Sequence, residues 1–131
     1  MTVGLEQILF VGRDHPDEAT RRTLAARGFN LILAVSFESA LRQLTETRYA
    51  TLVLNLGEDA EAISFLRRVR ETDAMKEIPV LVLGEWGSGL PSLALAADAD
   101  AYEPTPVNAG PLITSIERLL IKRGLAAGAN D

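Results

Sequence analysis

The chain of 131 residues holds few side chains able to do chemistry, and they are scattered. It has no cysteine, which excludes a disulfide framework, a thiolate metal site and a Cys nucleophile. His15 is the single histidine. Without a second His or a Cys it cannot complete a zinc site of the usual kind, and no nucleophile is marked beside it. It reads as a loop residue ahead of the first helix. Glu58, Asp59 and Glu61 form an acidic cluster. Such a cluster could hold a cation, but its first reading is the first turn of a helix, where the dipole is positive. The segment GEWGSG (Gly84–Gly89) is rich in glycine but does not follow the first apolar run. It therefore fails the dinucleotide fingerprint and reads as a flexible loop. No nucleophile, base and orienting group stand together, so the expectation is a protein that is not an enzyme.

The elements that must position these residues follow from apolar periodicity. Apolar residues make up 47% of the chain and charged residues 24%, which suits one domain with a packed core. Five short apolar runs are expected as strands: Gln7–Val11, Phe29–Val35, Ala50–Leu56, Pro79–Leu83 and Ala101–Glu103. Amphipathic stretches separate them. Pro16–Arg27 is a helix, with Pro16 in its first turn and Gly28 just past its end. Ser36 caps a second helix through Thr45, with Phe37, Ala40, Leu41 and Leu44 at helical spacing. Asp59–Glu71 is a third, burying Ala62, Ile63, Leu66 and Val69 and exposing Arg67, Arg68 and Arg70. Pro91–Ala97 is a short fourth. Asn108 caps a fifth that runs to about Arg123.

This is (βα)₅, with parallel strands and right-handed crossovers. The expected fold is a flavodoxin-like, doubly wound, five-stranded parallel sheet of order 2-1-3-4-5. Residues 1–123 form the domain, and 124–131 form a flexible tail or the start of a linker. A ligand site then lies at the carboxyl ends of strands one and three, after Val11, around Asn55 and after Leu83. No apolar run approaches the roughly 20 residues of a membrane span, and the start lacks a signal-peptide pattern. A cytoplasmic location is the default. The net charge is −5 with dispersed Lys and Arg, which argues against nucleic-acid binding by this domain.

Four segments then carry a resemblance. ILFVGRDHP (Ile8–Pro16), LVLNL (Leu52–Leu56), IPVLVLG (Ile78–Gly84) and DADAYEPTPV (Asp98–Val107) resemble, in order and spacing, the strand ends of response-regulator receiver domains. The likeness covers residues 7 to 122. It implies a two-component signalling module whose acidic pair and acceptor Asp hold Mg²⁺, assisted by a Thr or Ser and a Lys. Here the acidic pair aligns with Gly12 and Arg13, the acceptor with Asn55, the hydroxyl residue with Gly84 and the Lys with Thr105. A glycine and an arginine cannot supply carboxylate ligands, and a carboxamide is a poor nucleophile. Asp14 alone is too little for a hard cation.

The resemblance therefore implies a degenerate pseudo-receiver with no metal and no cofactor. It would act as a protein-interaction or dimerisation module. Partners would be a histidine kinase or effector domain, or a second copy through the face of the fourth helix, fifth strand and fifth helix. Tyr102 aligns with the family's switch aromatic, and packing is its other reading. Trp86 and Leu93 belong to the same face, with Glu103 and the basic end Arg118, Lys122 and Arg123. Trp86 is either a contact residue or packs over its own loop. Arg13 either donates to the Asn55 amide, replacing the ion, or points to solvent. Two further functions stay open. One is an unconventional receiver still active in a phosphorelay. The other is a small-molecule site in a pocket made roomier by Gly12 and Gly84.

Overall fold

The computed structural model describes residues 6–12, 16–57, 61–73, 75–84, 98–104 and 108–128. Five strands and four helices occur among them. In chain order they are β1 (Glu6–Val11), α1 (Glu18–Ala26), β2 (Phe29–Ala34), α2 (Phe37–Glu46), β3 (Thr51–Gly57), α3 (Glu61–Glu71), β4 (Val80–Gly84), β5 (Ala101–Pro104) and a C-terminal helix (Ala109–Gly128). The strands form one parallel sheet in the order β2-β1-β3-β4-β5, as the pattern of runs and crossovers implied.

Side chains of period two send alternate strand residues into two apolar layers. Leu9, Val11, Leu52, Leu54, Val80 and Val82 face one layer, closed by Ala40 and Leu44 of α2 and by Ile63, Phe65, Leu66 and Val69 of α3. Phe37 and Phe65 stack there with centroids 4.9 Å apart. Ile8, Phe10, Val53, Leu81 and Leu83 face the other, closed by Leu24 of α1 and by Leu112, Ile113, Ile116 and Leu119 of the C-terminal helix. Most of these side chains are almost wholly buried. At about 1.5–3 kcal/mol for each large apolar side chain removed from water, these layers hold the sheet between its helices.

Local chemistry sets the helix ends. Ser36 caps α2, its hydroxyl accepting from the Ser39 N–H at 3.0 Å. Gly28, at φ +91°, ends α1 in a conformation that suits glycine, and its N–H donates to the Ala25 carbonyl at 3.0 Å. The Leu112 N–H donates to the Asn108 carbonyl at the start of the C-terminal helix.

Several expectations change. Pro16 is not in the first turn of α1: Asp17 is the cap, accepting from the Thr20 N–H at 2.8 Å, so Pro16 lies before it. The second strand stops at Ala34, its last pairing with Val11, and Val35 beyond it is 78% exposed. Arg70 is not a solvent-facing residue; its side chain is 13% exposed and reaches back onto the sheet. The last helix continues to Gly128 rather than stopping near Arg123. Leu125, Ala126 and Ala127 are strong helix formers and outweigh Gly124. The expected fourth helix at Pro91–Ala97 lies outside the described residues.

Candidate functional site at the carboxyl ends of the strands

The β1–β3 ladder runs from Ile8↔Thr51 to Val11↔Leu54. The next residue on each strand is Gly12 and Asn55, so the sheet brings these two together. The contact is close. A Cβ placed on Gly12 would lie 2.7 Å from the Asn55 carbonyl oxygen and 2.8 Å from the Asn55 Cβ. Gly12 also sits at φ +154°, a state that side-chain-bearing residues rarely adopt. Only glycine fits this position. The room expected from the small residue at Gly12 is therefore absent on this side, because β3 fills it.

On its other edge β3 pairs Asn55 with Leu83 and then Gly57 with Gly84, leaving Leu56 as an extra residue. This is a β-bulge, a local kink that redirects the backbone beside a site. Gly84 in turn pairs with Pro104 at the end of β5. Gly57, Gly84 and Pro104 thus lie at one level of the sheet, with half-buried Asn55 a register step below. In the sequence Gly57 simply follows the third apolar run, Ala50–Leu56. Its pairing role is set by the bulge, which no local pattern announces.

The structure thus brings Gly12 against Asn55 at the switch point between β1 and β3, with Gly84 at the end of the next strand, β4, paired with Gly57. Arg13 and Thr105, expected to complete this group, lie outside the described residues. So do Asp14, His15, Glu58, Asp59, Trp86, Leu93 and Pro106. Of these three strand-end residues, two have no side chain and the third carries a neutral carboxamide. That set can accept and donate hydrogen bonds. It brings no charge to a cation and no carboxylate to a phosphoryl group.

Tyr102 pairs with Val82 on β5 and is half-buried, packed against the layer that holds α2 and α3. The next residue, Glu103, points toward the C-terminal helix, where its carboxylate accepts from the Ser115 hydroxyl at 2.6 Å. Ser115, itself buried, was missed from sequence because it falls among the apolar residues of the helix's inner face. Arg118 is exposed on the same helix.

The amino ends of the strands carry a different arrangement. Arg70, at the end of α3, donates to the carbonyls of Asp98, Lys76 and Ile78 at 2.9, 2.9 and 2.6 Å. It also pairs with Asp100 at 2.8 Å, and the same carboxylate oxygen accepts from the Val80 N–H at 2.7 Å. A hollow of about 770 Å³ opens nearby, lined by Leu44, Tyr49, Met75 and Ile78 among others. Burial pushes the Tyr49 hydroxyl above its ordinary pKa, against a lowering hydrogen bond with Thr47. This end is opposite the switch point and holds nothing that the carboxyl-end site uses.

Among the described residues no helix is long and apolar enough to cross a membrane. No protein-family model and no curated protein matches the sequence. Solved structures do match. A response regulator from Thermotoga maritima is 20% identical, with 88% of this chain and 98% of that chain covered and a TM-score of 0.77. The receiver domain of a signal-transduction histidine kinase from Syntrophus aciditrophicus is 21% identical, covering 89% and 91%, with a TM-score of 0.75. The receiver domain of a sensor histidine kinase from Pseudomonas aeruginosa, with a magnesium ion in its active-site cleft, is 19% identical, covering 89% and 98%, with a TM-score of 0.71. The strand order, the crossovers and these neighbours together give the chain the fold of response-regulator receiver domains.

Proposed function

We propose that this chain is a pseudo-receiver, a signalling module that works by binding other proteins without being phosphorylated. One observation carries the reading: the position of the first metal-binding acid is a glycine whose missing Cβ is occupied by Asn55. The Pseudomonas receiver holds its magnesium in the active-site cleft. Hard cations of that kind need several oxygen ligands, carboxylates above all. At the matching point this chain offers Gly12 and the amide of Asn55. The acceptor itself would have to be a carboxylate, and Asn55 is not one.

Its partners in this reading are a histidine kinase, an effector domain or a second copy. The contact face is the side of β5 and the C-terminal helix, where Tyr102 and Arg118 sit, with Trp86 and Leu93 expected beside them. Binding there is constitutive in this reading, because Gly12, Asn55 and Gly84, the described residues at the carboxyl ends, carry no group that gains or loses a phosphoryl charge.

The test is chemical. The full chain is incubated with acetyl phosphate and Mg²⁺, and the intact protein is weighed. The expected result is no phosphoryl adduct on the wild type, and none on Asn55→Asp, since Gly12 still denies the cation its ligand. A Mg²⁺-dependent adduct on the wild type overturns the reading and restores the phosphorelay alternative. An adduct on Asn55→Asp alone shows that Gly12 is not the decisive loss.

A further inference from the structure

Among the described residues β2 ends the sheet on its side, with β1 as its strand neighbour. The ladder between them is regular through six pairs, from Glu6↔Phe29 to Val11↔Ala34, with no bulge. Strands at sheet edges present a row of unpaired N–H and C=O groups and are usually blunted by lysine, proline or a bulge. The sequence of β2, FNLILA, contains none of these. It offers about 20 Å of unbulged, uncharged edge at roughly 3.3 Å per residue. Ile32 and Leu33 are half-buried along it, and Val35 lies exposed at its end.

A groove of about 550 Å³ runs beside this edge, between α1 and β2. Phe29 and Leu31 line one wall, and Glu18, Arg21, Arg22 and Ala25 line the other. The spacing of those four places them on one face of α1. Arg22 is tied to Glu18 at 2.8 Å, and both are more than three-quarters exposed. Arg21 is exposed and makes no ion pair among the described residues. The groove therefore carries one cation in excess.

We propose that the β2 edge docks an extended acidic peptide segment as a sixth strand, with Arg21 and Arg22 selecting its charge. The edge supplies backbone hydrogen bonds, and the groove receives the side chains that point toward α1. A second copy of the chain fits less well. Two-fold pairing of β2 with itself sets α1 antiparallel to its own copy, with the arginines of the two helices opposed and like charges close. The chain as a whole carries −5, so the attraction is local to this edge and is screened beyond a Debye length of about 8 Å at physiological salt.

The probe is a blocked octapeptide alternating valine and glutamate, titrated into the isotope-labelled full chain. Saturable amide shifts are expected along Phe29–Ala34. Two controls separate strand addition from loose attraction. The same peptide N-methylated at alternate residues cannot complete the ladder and is expected to bind at least about tenfold more weakly. The doubly reversed variant R21E/R22E, whose exposed positions leave the fold intact, is expected to lose about tenfold and to prefer the valine–lysine peptide. Absence of binding, shifts centred away from β2, equal binding of the methylated peptide, or a β2-mediated dimer of the free chain in sedimentation would each overturn the proposal.

Discussion

At Gly12 the backbone conformation and the neighbour agree. A φ of +154° already disfavours any side chain, and the Asn55 carbonyl and Cβ occupy the space one would need. Gly12→Ala is therefore expected to lower stability by about 2 kcal/mol, since a strained backbone state costs on the order of 1–3 kcal/mol. Urea unfolding checks it, and a neutral result would mean that β3 yields easily. Thr51 makes the opposite case. It is wholly buried at the start of β3, and its hydroxyl has no hydrogen-bond partner among the described residues. Thr51→Val removes an unsatisfied polar atom while keeping the shape, so a gain of about 1 kcal/mol is expected in the same unfolding experiment. Part of the site was legible in advance. Gly12 and Gly84 directly follow apolar runs, Asn55 is the one carboxamide within the third run, next to its last residue, and parallel topology sends those ends to one edge of the sheet. The close approach of Gly12 to Asn55 was not legible. It arises between residues on different strands, and neither carries a local signal for it.

Elements were legible where burial and local capping agree. Ser36 ahead of the 37-40-41-44 stripe marked the start of α2, and its hydroxyl does cap that helix. Asp17 shows how a cap can be one residue away from where proline suggests. The Thr20 backbone N–H, then the Thr20 side chain, hold its carboxyl below the usual aspartate pKa. The folded value is thus lower than the unfolded one. The cap's contribution is complete above the unfolded pKa and fades as pH falls through the folded value. An NMR titration should place the Asp17 midpoint below 3.8, and Asp17→Ala should flatten the acid limb of the stability curve. Arg70 was misread because helical spacing alone sets it just off the stripe of Ile63, Leu66 and Val69. Its long stem lets the guanidinium turn inward, where carbonyls from two connections and Asp100 await it. Arg70→Met keeps the stem and removes four hydrogen bonds, and leaves Asp100 less well paired. A loss of about 2–3 kcal/mol is expected, with faster amide exchange at Val80.

Across the whole molecule the central strands are held on both edges. All five strands send side chains to both apolar layers, but β1, β3 and β4 are also paired on both sides, whereas β2 and β5 each have one strand neighbour among the described residues. The C-terminal helix ties the far elements together. Ser115 holds Glu103 of β5, and Glu117 pairs at 3.0 Å with Arg27, which ends α1. Hydrogen exchange should follow this arrangement, with the amides of β1, β3 and β4 opening only in global unfolding and those of β2 and β5 opening earlier. The same experiment separates a pseudo-receiver from a working one. A ligand that binds the native state raises protection by mass action, most where it bridges elements. In a working receiver, Mg²⁺ with beryllofluoride joins the acceptor on the third strand to the acids after the first. Here Gly12 supplies no such ligand and Asn55 no such acceptor. Exchange at the ends of β1 and β3, and around Tyr102 on β5, is therefore expected to be the same with and without the two reagents. Slower exchange at those three places on adding both, but not on adding Mg²⁺ alone, would mean that the carboxyl-end site still recognises a phosphoryl group and that binding at the β5 side is under its control.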